Sequence, residues 1–205
     1  MIRPTCNPGR SKARFSKLAL TGGEPSLAAL DYAHARVPDA ELLQLRAEDI
    51  PFDAEFDVVG AFDVLEHVLE DSLALSQLLQ ATQPGGGMLL TVPQHPSLWS
   101  SFDEYSGHHR RYTRHALVEL VTRAGWEVLY VTSFVFLLLP VMAISRKLVQ
   151  SSSNPDPLRE LRISRVANSL LRITLLVERM LLRCGIHFPA GGSLLLVARR
   201  PGGSS

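Results

Sequence analysis

The chain has 205 residues, of which 46% are hydrophobic and 20% charged, and its 21 Lys and Arg against 20 Asp and Glu leave a net charge of +1. These values describe one globular domain and exclude both wholesale disorder and a protein that coats nucleic acid. The 2 cysteines lie far apart, which disfavours a disulfide framework or a cysteine zinc site and favours a reducing compartment, the cytoplasm.

The N-terminal segment predicts a basic tail. Residues 1–17 carry five basic side chains and no acid, without the apolar run of a secretion signal. We expect residues 18–205 to form a single domain that includes an apolar and basic helical insertion over residues 134–185. The longest apolar run, Phe134–Ile144, contains Pro140 and is shorter than the roughly 20 residues that a membrane-spanning helix needs.

From residue 18 onwards, apolar runs alternate with helical patterns. A helix is predicted after Ser26, which is a favourable N-cap, and a buried strand is predicted where apolar residues follow one another almost without interruption. The predicted strands are Lys17–Leu20, Glu41–Leu45, Phe56–Phe62, Met88–Val92, Glu127–Val131 and Gly191–Arg200. The predicted helices are Leu27–Arg36, Leu69–Thr82, Arg114–Ala124 and Leu158–Arg183. This alternation indicates an α/β fold with a doubly wound, mostly parallel sheet.

Ligands of open α/β sheets bind beyond the carboxyl ends of the strands, so residues at those ends are the site candidates. Glu24 follows the first strand, where its carboxylate is suited either to a ribose diol or to the N-terminus of the next helix. The loop from Arg46 to Phe52 is suited to an adenine edge, but taken alone it is better explained as a solvated loop. The segment from Gly60 to His67 would place an apolar wall and polar groups over a cleft.

In this order and spacing, these segments resemble class I S-adenosylmethionine-dependent methyltransferases of the bacterial small-molecule type, which are related to the ubiquinone and menaquinone biosynthesis methyltransferases. The most specific stretch is Phe56–His67, followed by Gln83–Gly87. The resemblance implies a Rossmann-like fold and S-adenosyl-L-methionine as cofactor. It implies that five residues contact the cofactor: Glu24, Ala47, Glu48, Phe62 and Asp63.

Two features depart from the family's pattern. No Gly-x-Gly precedes Glu24, although glycines there let the backbone approach the cofactor's amino-acid end, and the first strand of the family is not recognisable. Arg46 stands where the family commonly has a carboxylate or amide that reads the adenine amine, and an arginine has only donors. The alternative interpretation is therefore a catalytically inactive relative that serves as a binding or scaffold module.

A long loop, Gln94–Thr113, follows the strand at Met88–Val92 and is typical of a lid or an acceptor pocket. Its histidines are suited to proton transfer and its arginines to an anionic acceptor, and a run similar to Gly107–Tyr112 recurs in relatives of the family. Five residues are predicted on the acceptor side: His67, His95, His108, Arg110 and Tyr112. A metal site is not predicted, because adjacent histidines such as His108 and His109 point in opposite directions along a strand.

The insertion is apolar at Phe134–Ile144 and rich in arginine over Leu158–Arg183. This pattern is suited to a membrane surface, with arginines near lipid phosphates and a lipid-linked acceptor close by. The more common arrangement is a helix that packs its leucines on the domain and solvates its arginines, and dimerisation is a third explanation. The sequence thus predicts methyl transfer to a small or lipid-linked acceptor by a cytoplasmic protein, peripheral at the inner membrane surface under the first interpretation.

Overall fold

The computed structural model describes residues 18–142, 144, 164–186 and 188–202. The strands are β1 (Thr21–Gly23), β2 (Glu41–Leu43), β3 (Phe56–Phe62), β4 (Thr82–Pro93), β5 (Glu127–Phe134) and β6 (Ser193–Arg199). The helices are α1 (Leu27–Arg36), α2 (Asp71–Ala81), α3 (Ser101–Tyr105), α4 (Arg114–Arg123) and α5 (Arg165–Arg183). Two 3₁₀ turns, Leu65–His67 and Pro96–Leu98, follow β3 and β4. The predicted basic tail and the start of the predicted helix at Leu158 lie outside the described residues.

The described strands form two hydrogen-bonded sheets. β1 pairs with β2 in parallel, and the second sheet has the order β3-β4-β6-β5. β3 runs parallel to β4, whereas β6 is antiparallel to both of its neighbours, so β3, β4 and β5 share one direction. This is the expected α/β, mostly parallel Rossmann-like architecture, with one reversed strand and, between the described strands, no pairing that joins β1 to β3.

One face of the larger sheet carries the core. Val59 on β3, Leu90 on β4 and Leu196 on β6 are buried together with residues of α2 and α4. Trp126 is buried among them, and its indole N–H donates to the carbonyl of Leu75 at 3.1 Å, which satisfies the only polar group of the ring. This packing fixes the direction in which the carboxyl ends of β3 and β4 point.

Several strand ends differ from the sequence prediction by a few residues, and the differences at β1 and β4 are the ones that bear on the sheet. The first strand is Thr21–Gly23 instead of Lys17–Leu20, because Gly22 and Gly23 lie in register with Leu42 and Leu43 of β2. β4 begins at Thr82, before the predicted Met88, and its register is irregular opposite Phe56 and Val58. At Gly86 a Cβ atom would lie 2.6 Å from Thr82 Cγ2 and 2.8 Å from the Asp57 carbonyl, so this close approach of backbones requires glycine.

Candidate functional site

Glu24 lies at the carboxyl end of β1, where the sheet passes into α1. Its amide donates to the carbonyl of Leu43 at 3.1 Å, and its Oε1 accepts from the amide of Ser26 at 3.1 Å. Ser26 is the N-cap of α1 and accepts from the amide of Ala29. One carboxylate oxygen of Glu24 thus orders the start of the helix, which leaves Oε2 as the oxygen suited to a ligand diol.

The loop after β2 turns back on itself between Arg46 and Asp49. Ala47 is buried, and Arg46 donates to Glu48 at 2.9 Å. Partial burial by itself would raise the pKa of Glu48. Three effects outweigh this burial and lower the pKa: the hydrogen bond from Arg46, the hydrogen bond from the backbone of Glu48, and the positive charge of Arg46. Glu48 is therefore an acceptor at neutral pH, and it neutralises the arginine that departs from the family's pattern.

These two segments and the 3₁₀ turn after β3 enclose a cavity of about 250 Å³. Glu24, Ala47 and Glu48, all predicted to contact the cofactor, line it together with His67, predicted on the acceptor side. The remaining lining residues are Gly23, Pro25, Arg46, Val64 and Val68. The cavity therefore combines valine side chains with two carboxylates, a combination suited to a nucleoside, whose base is flat and whose ribose carries hydroxyls.

The other two residues predicted to contact the cofactor lie beside this cavity and are not among the residues that line it. Asp63 adopts φ 52°, and its amide donates to the carbonyl of Thr91 at 3.0 Å. Its Oδ1 accepts from the hydroxyl of Thr91 at 3.3 Å. The ring of Phe62 folds over Gly60, where a Cβ atom would lie 2.8 Å from the ring. Both side chains thus have partners within the sheet.

Of the residues predicted on the acceptor side, the structure brings His67 and His108 together. Their rings meet edge to face with centroids 4.6 Å apart, and His67 Nδ1 lies 3.3 Å from the carbonyl of Gly107. The amide of His109 donates to the carbonyl of Glu66 at 2.7 Å, which attaches the long loop to the turn after β3. The long loop therefore packs against the turn that carries His67, a residue that lines the cavity.

Arg110 and Tyr112 converge on a carboxylate that the sequence analysis did not single out. Arg110 donates to Asp71 Oδ2 at 2.8 Å, and the hydroxyl of Tyr112 donates to the same oxygen at 2.9 Å. Tyr112 is 5% exposed. Burial, then the charge and hydrogen bond of Asp71, raise the pKa of Tyr112 well above its ordinary value, so this hydroxyl remains a donor. The observed contacts of these two residues hold the loop onto α2.

A second buried carboxylate, Asp103, organises the rest of the loop. Arg111 donates to its Oδ1 through Nε at 2.9 Å and Nη2 at 2.7 Å, and His108 Nδ1 lies 2.9 Å from the same oxygen. The amide and hydroxyl of Ser100 donate to Oδ2, so Asp103 also completes the capping box of α3. No local pattern distinguishes Asp103 or Asp71 from an ordinary acid in the first turn of a helix.

His95 lies at the start of the same loop with φ 61°. Its amide donates to the carbonyl of Tyr112, and its Nε2 is buried without a hydrogen-bond partner among the described residues. Burial and then the positive charge of Arg111 lower the pKa of His95. His95 is therefore a neutral imidazole near pH 7, and it is not among the residues that line the cavity.

Comparisons with known proteins agree with this fold. A family model described as "Methyltransferase domain" matches residues 13–131, more than half of the chain. A protein of Mycolicibacterium smegmatis, described as a "Probable S-adenosylmethionine-dependent methyltransferase", is 29% identical over 104 residues, which are 49% of this chain and 40% of that protein. The chain thus aligns with well under half the length of this relative.

Solved structures with low identity share the fold. An S-adenosylmethionine-dependent methyltransferase from Mesorhizobium loti superposes with a TM-score of 0.61 at 14% identity, over 94% of this chain and 85% of that one. Phosphoethanolamine N-methyltransferase 2 of Haemonchus contortus, in complex with S-adenosyl-L-methionine, superposes with a TM-score of 0.59 at 20% identity, over 94% of this chain and 46% of that one. The [4+2]-cyclase SpnF superposes with a TM-score of 0.58 at 20% identity, over 97% of this chain and 74% of that one. This fold is therefore also found in a protein named for another reaction.

Proposed function

Because the chain belongs to the family of methyltransferase-domain proteins, we propose that it binds S-adenosyl-L-methionine and catalyses methyl transfer to a small or lipid-linked acceptor. The observation that carries this proposal is the cavity at the carboxyl end of β1, lined by Glu24, Ala47 and Glu48. Its place in the sheet is the one where α/β folds bind nucleotides.

The residues present fit the nucleoside half of the cofactor. Glu24 Oε2 would accept from the ribose hydroxyls, since Oε1 is bound by the amide of Ser26. Val64 and Val68 offer an apolar wall to the adenine ring, and the exposed edge of the Arg46–Asp49 turn offers polar groups to its rim. When bound, the cofactor supplies a sulfonium methyl group that an acceptor nucleophile attacks in line.

The chain's own residues would orient the acceptor and exclude water. His67 lines the cavity, and the ring of His108 packs against the ring of His67, so we assign both to the proposed acceptor side. His95 would remove a proton from the acceptor only through a movement of the loop, because its Nε2 is buried in this conformation. For Arg110 and Tyr112 we propose a positioning role, since Asp71 holds both in the wall of the loop.

Transfer of labelled methyl groups tests this proposal. The protein is incubated with S-adenosylmethionine tritiated on the methyl group and with either the aqueous or the organic phase of a cell extract. We expect label in one phase at a rate at least tenfold above that of Glu24→Gln, which weakens ribose binding. Glu119→Gln is the matched control, because Glu119 is an exposed glutamate on α4 paired with Arg123. Transfer by Glu24→Gln at the unaltered rate would contradict the proposed cofactor site.

The alternative is a catalytically inactive relative that binds a ligand or a protein in the same fold. It is favoured by Arg46, which offers only donors where the family commonly has an acceptor for the adenine amine. The two candidates differ in the cofactor: a folded protein that binds no S-adenosylhomocysteine at millimolar concentration supports the inactive module. Binding accompanied by label transfer supports the enzyme.

We also propose that α5 rests on an anionic membrane surface. Leu170, Ile173 and Met180 lie on one side of this helix and are 61%, 57% and 64% exposed. Arg172, Arg179 and Arg183 are spaced by seven and four residues on another side and are exposed as well. Exposed apolar residues beside arginines match a lipid interface with anionic headgroups. No helix in the described part of the chain has both the length and the apolar character to cross a bilayer.

One side of α5 is attached to the domain, so residues on the other side can be substituted without unfolding the protein. Glu178 is buried and accepts hydrogen bonds from the amides of Val135 and Leu137, the second at 3.0 Å, so the opposite side of the helix faces outward. We expect the protein to sediment with phosphatidylglycerol vesicles and not with phosphatidylcholine vesicles. Ile173→Ser with Met180→Ser should abolish sedimentation, while the control Leu27→Ser, an exposed apolar residue on α1, should retain it. Loss of a dimer without any vesicle effect would assign the surface to a second copy instead.

A further inference from the structure

A histidine and carboxylate cluster lies where the long loop contacts His67, which lines the cavity. Glu66, His67 and His108 each offer one ligand atom, and these atoms all lie within 4.8 Å of one another. His67 Nε2 is 3.8 Å from Glu66 Oε1. Glu66 is 1% exposed, so one of the three donors is a buried carboxylate. We propose that these three residues form a binding site for one divalent transition-metal cation.

The hydrogen bonds of the two imidazoles place the proton of each ring on Nδ1. The carbonyl of Gly107 only accepts, so His67 Nδ1 carries the proton of that 3.3 Å contact and Nε2 has the lone pair. His108 Nδ1 in the same way donates to Asp103 Oδ1 at 2.9 Å. In metal sites the ring nitrogen away from the metal donates to a carbonyl or a carboxylate in this manner, which fixes the tautomer.

One pair of ligand atoms is already close to the spacing of a metal site, and the other pairs, which lie within 4.8 Å, would contract by up to about 1.5 Å on binding. Two ligands of a tetrahedral zinc ion with bonds of about 2.0–2.1 Å lie roughly 3.3 Å apart. The 3.8 Å between His67 Nε2 and Glu66 Oε1 exceeds that by about half an ångström, within the reach of side-chain torsions. Two histidines and one glutamate are a donor set that zinc sites with an open fourth position use.

The surroundings hold the cluster in place. Asp103 is fully buried and is itself held by Arg111 and by the amide and hydroxyl of Ser100, so His108 is oriented by a rigid partner. The amide of His109 is bonded to the carbonyl of Glu66, which ties the loop to the turn that carries Glu66 and His67. Such preorganisation lowers the cost of collecting three ligands from distant parts of the chain.

The cation would face the cavity, because His67 lines it. An open coordination position there would bind an oxygen anion of the acceptor, such as a phenolate or a carboxylate, and orient it towards the sulfonium methyl group. This consequence rests on the proposed function, whereas the cation site itself does not. The sequence alone does not predict this site, because neighbouring histidines of the loop diverge, whereas the cluster pairs His108 with His67, 41 residues earlier in the chain.

Zinc titration of the metal-free protein, without cofactor or acceptor, tests the site. We expect one Zn²⁺ per chain with a dissociation constant in the micromolar range or below, and at least tenfold weaker binding in both Glu66→Gln and His108→Gln. His115→Gln is the matched control, because His115 is an exposed histidine on α4. Binding that is absent, or that His115→Gln weakens as much as His108→Gln, would overturn the proposal.

Two further measurements keep the outcomes distinct. If a variant does not fold, the NMR signals of the histidine ring nitrogens in the unaltered protein test the site instead. Zn²⁺ must shift the signals of two of the seven histidines, and a shift of none or of all of them overturns the site. Separate titration with S-adenosylhomocysteine distinguishes the two proposals. Cofactor binding without Zn²⁺ binding overturns the cation site and leaves the proposed function, and the reverse result supports the cation site and contradicts the proposed function.

Discussion

Asp103 is the residue whose loss should most damage the long loop. In Asp103→Asn the shape is kept, but Arg111 remains buried without a full counter-charge, and the amide group that replaces Oδ2 would face the N–H of Ser100. Breaking a buried ion pair by removing one partner costs roughly 3–5 kcal/mol. Losing a helix N-cap interaction costs about 1 kcal/mol. We therefore expect a loss of about 4–6 kcal/mol, a factor of roughly 1,000 to 10,000 in the unfolding equilibrium.

Urea unfolding followed by circular dichroism measures this loss. The matched control is Arg123→Ala, which breaks an exposed ion pair whose side chains are 77% and 47% exposed. Such pairs contribute between zero and about 1 kcal/mol, so the control should unfold at nearly the unaltered urea concentration. A loss below about 1 kcal/mol in Asp103→Asn, similar to that of the control, would refute the idea that Asp103 anchors the loop.

Three further changes test the core, a helix cap and a buried base. Leu196→Ala should lose about 2–5 kcal/mol in urea unfolding, because Leu196 is fully buried in β6, and a loss under 1 kcal/mol would contradict its place in the core. Thr113→Ala should lose about 1 kcal/mol, because its hydroxyl accepts from the amide of Ala116, while Thr113→Ser should lose less. The folded protein lowers the pKa of His95 below its ordinary 6.5, so the unfolded chain binds the proton first, and stability should fall as pH drops from about 6.5 through the folded pKa. His95→Asn, whose side chain tolerates the positive φ, should flatten this part of the profile of stability against pH. An unchanged profile would contradict the assignment of this pH dependence to His95.

The elements that the sequence predicts best are those with strong local signals. The helix Leu27–Arg36 follows the cap of Ser26, and the strand Phe56–Phe62 is a continuous apolar run, and both have the predicted bounds. β1 begins later in the chain than predicted, because Gly22 and Gly23 pair with the strand Glu41–Leu43, a contact that the local sequence does not indicate. The reversed direction of β6 depends on the connection through α5, which periodicity does not report.

The site divides in the same way. Glu24, Ala47 and Glu48 were predicted at strand ends and lie together around one cavity, because the ends of parallel strands meet at one edge of a sheet. The cluster of Asp103 with Arg111 and His108, by contrast, depends on how a long loop folds. No spacing rule relates such contacts to the sequence, so the carboxylates that organise the long loop emerge only from the structure.

The central claim is that the cavity between β1 and the turn after β3 holds the nucleoside of the cofactor. Isothermal titration of the unaltered protein and of Val64→Trp with S-adenosylhomocysteine tests it most directly, because an indole at position 64 would fill the cavity that Val64 lines. We predict one binding site in the unaltered protein and no measurable heat in a folded Val64→Trp. Equal affinity in both proteins would place the ligand elsewhere and contradict the account.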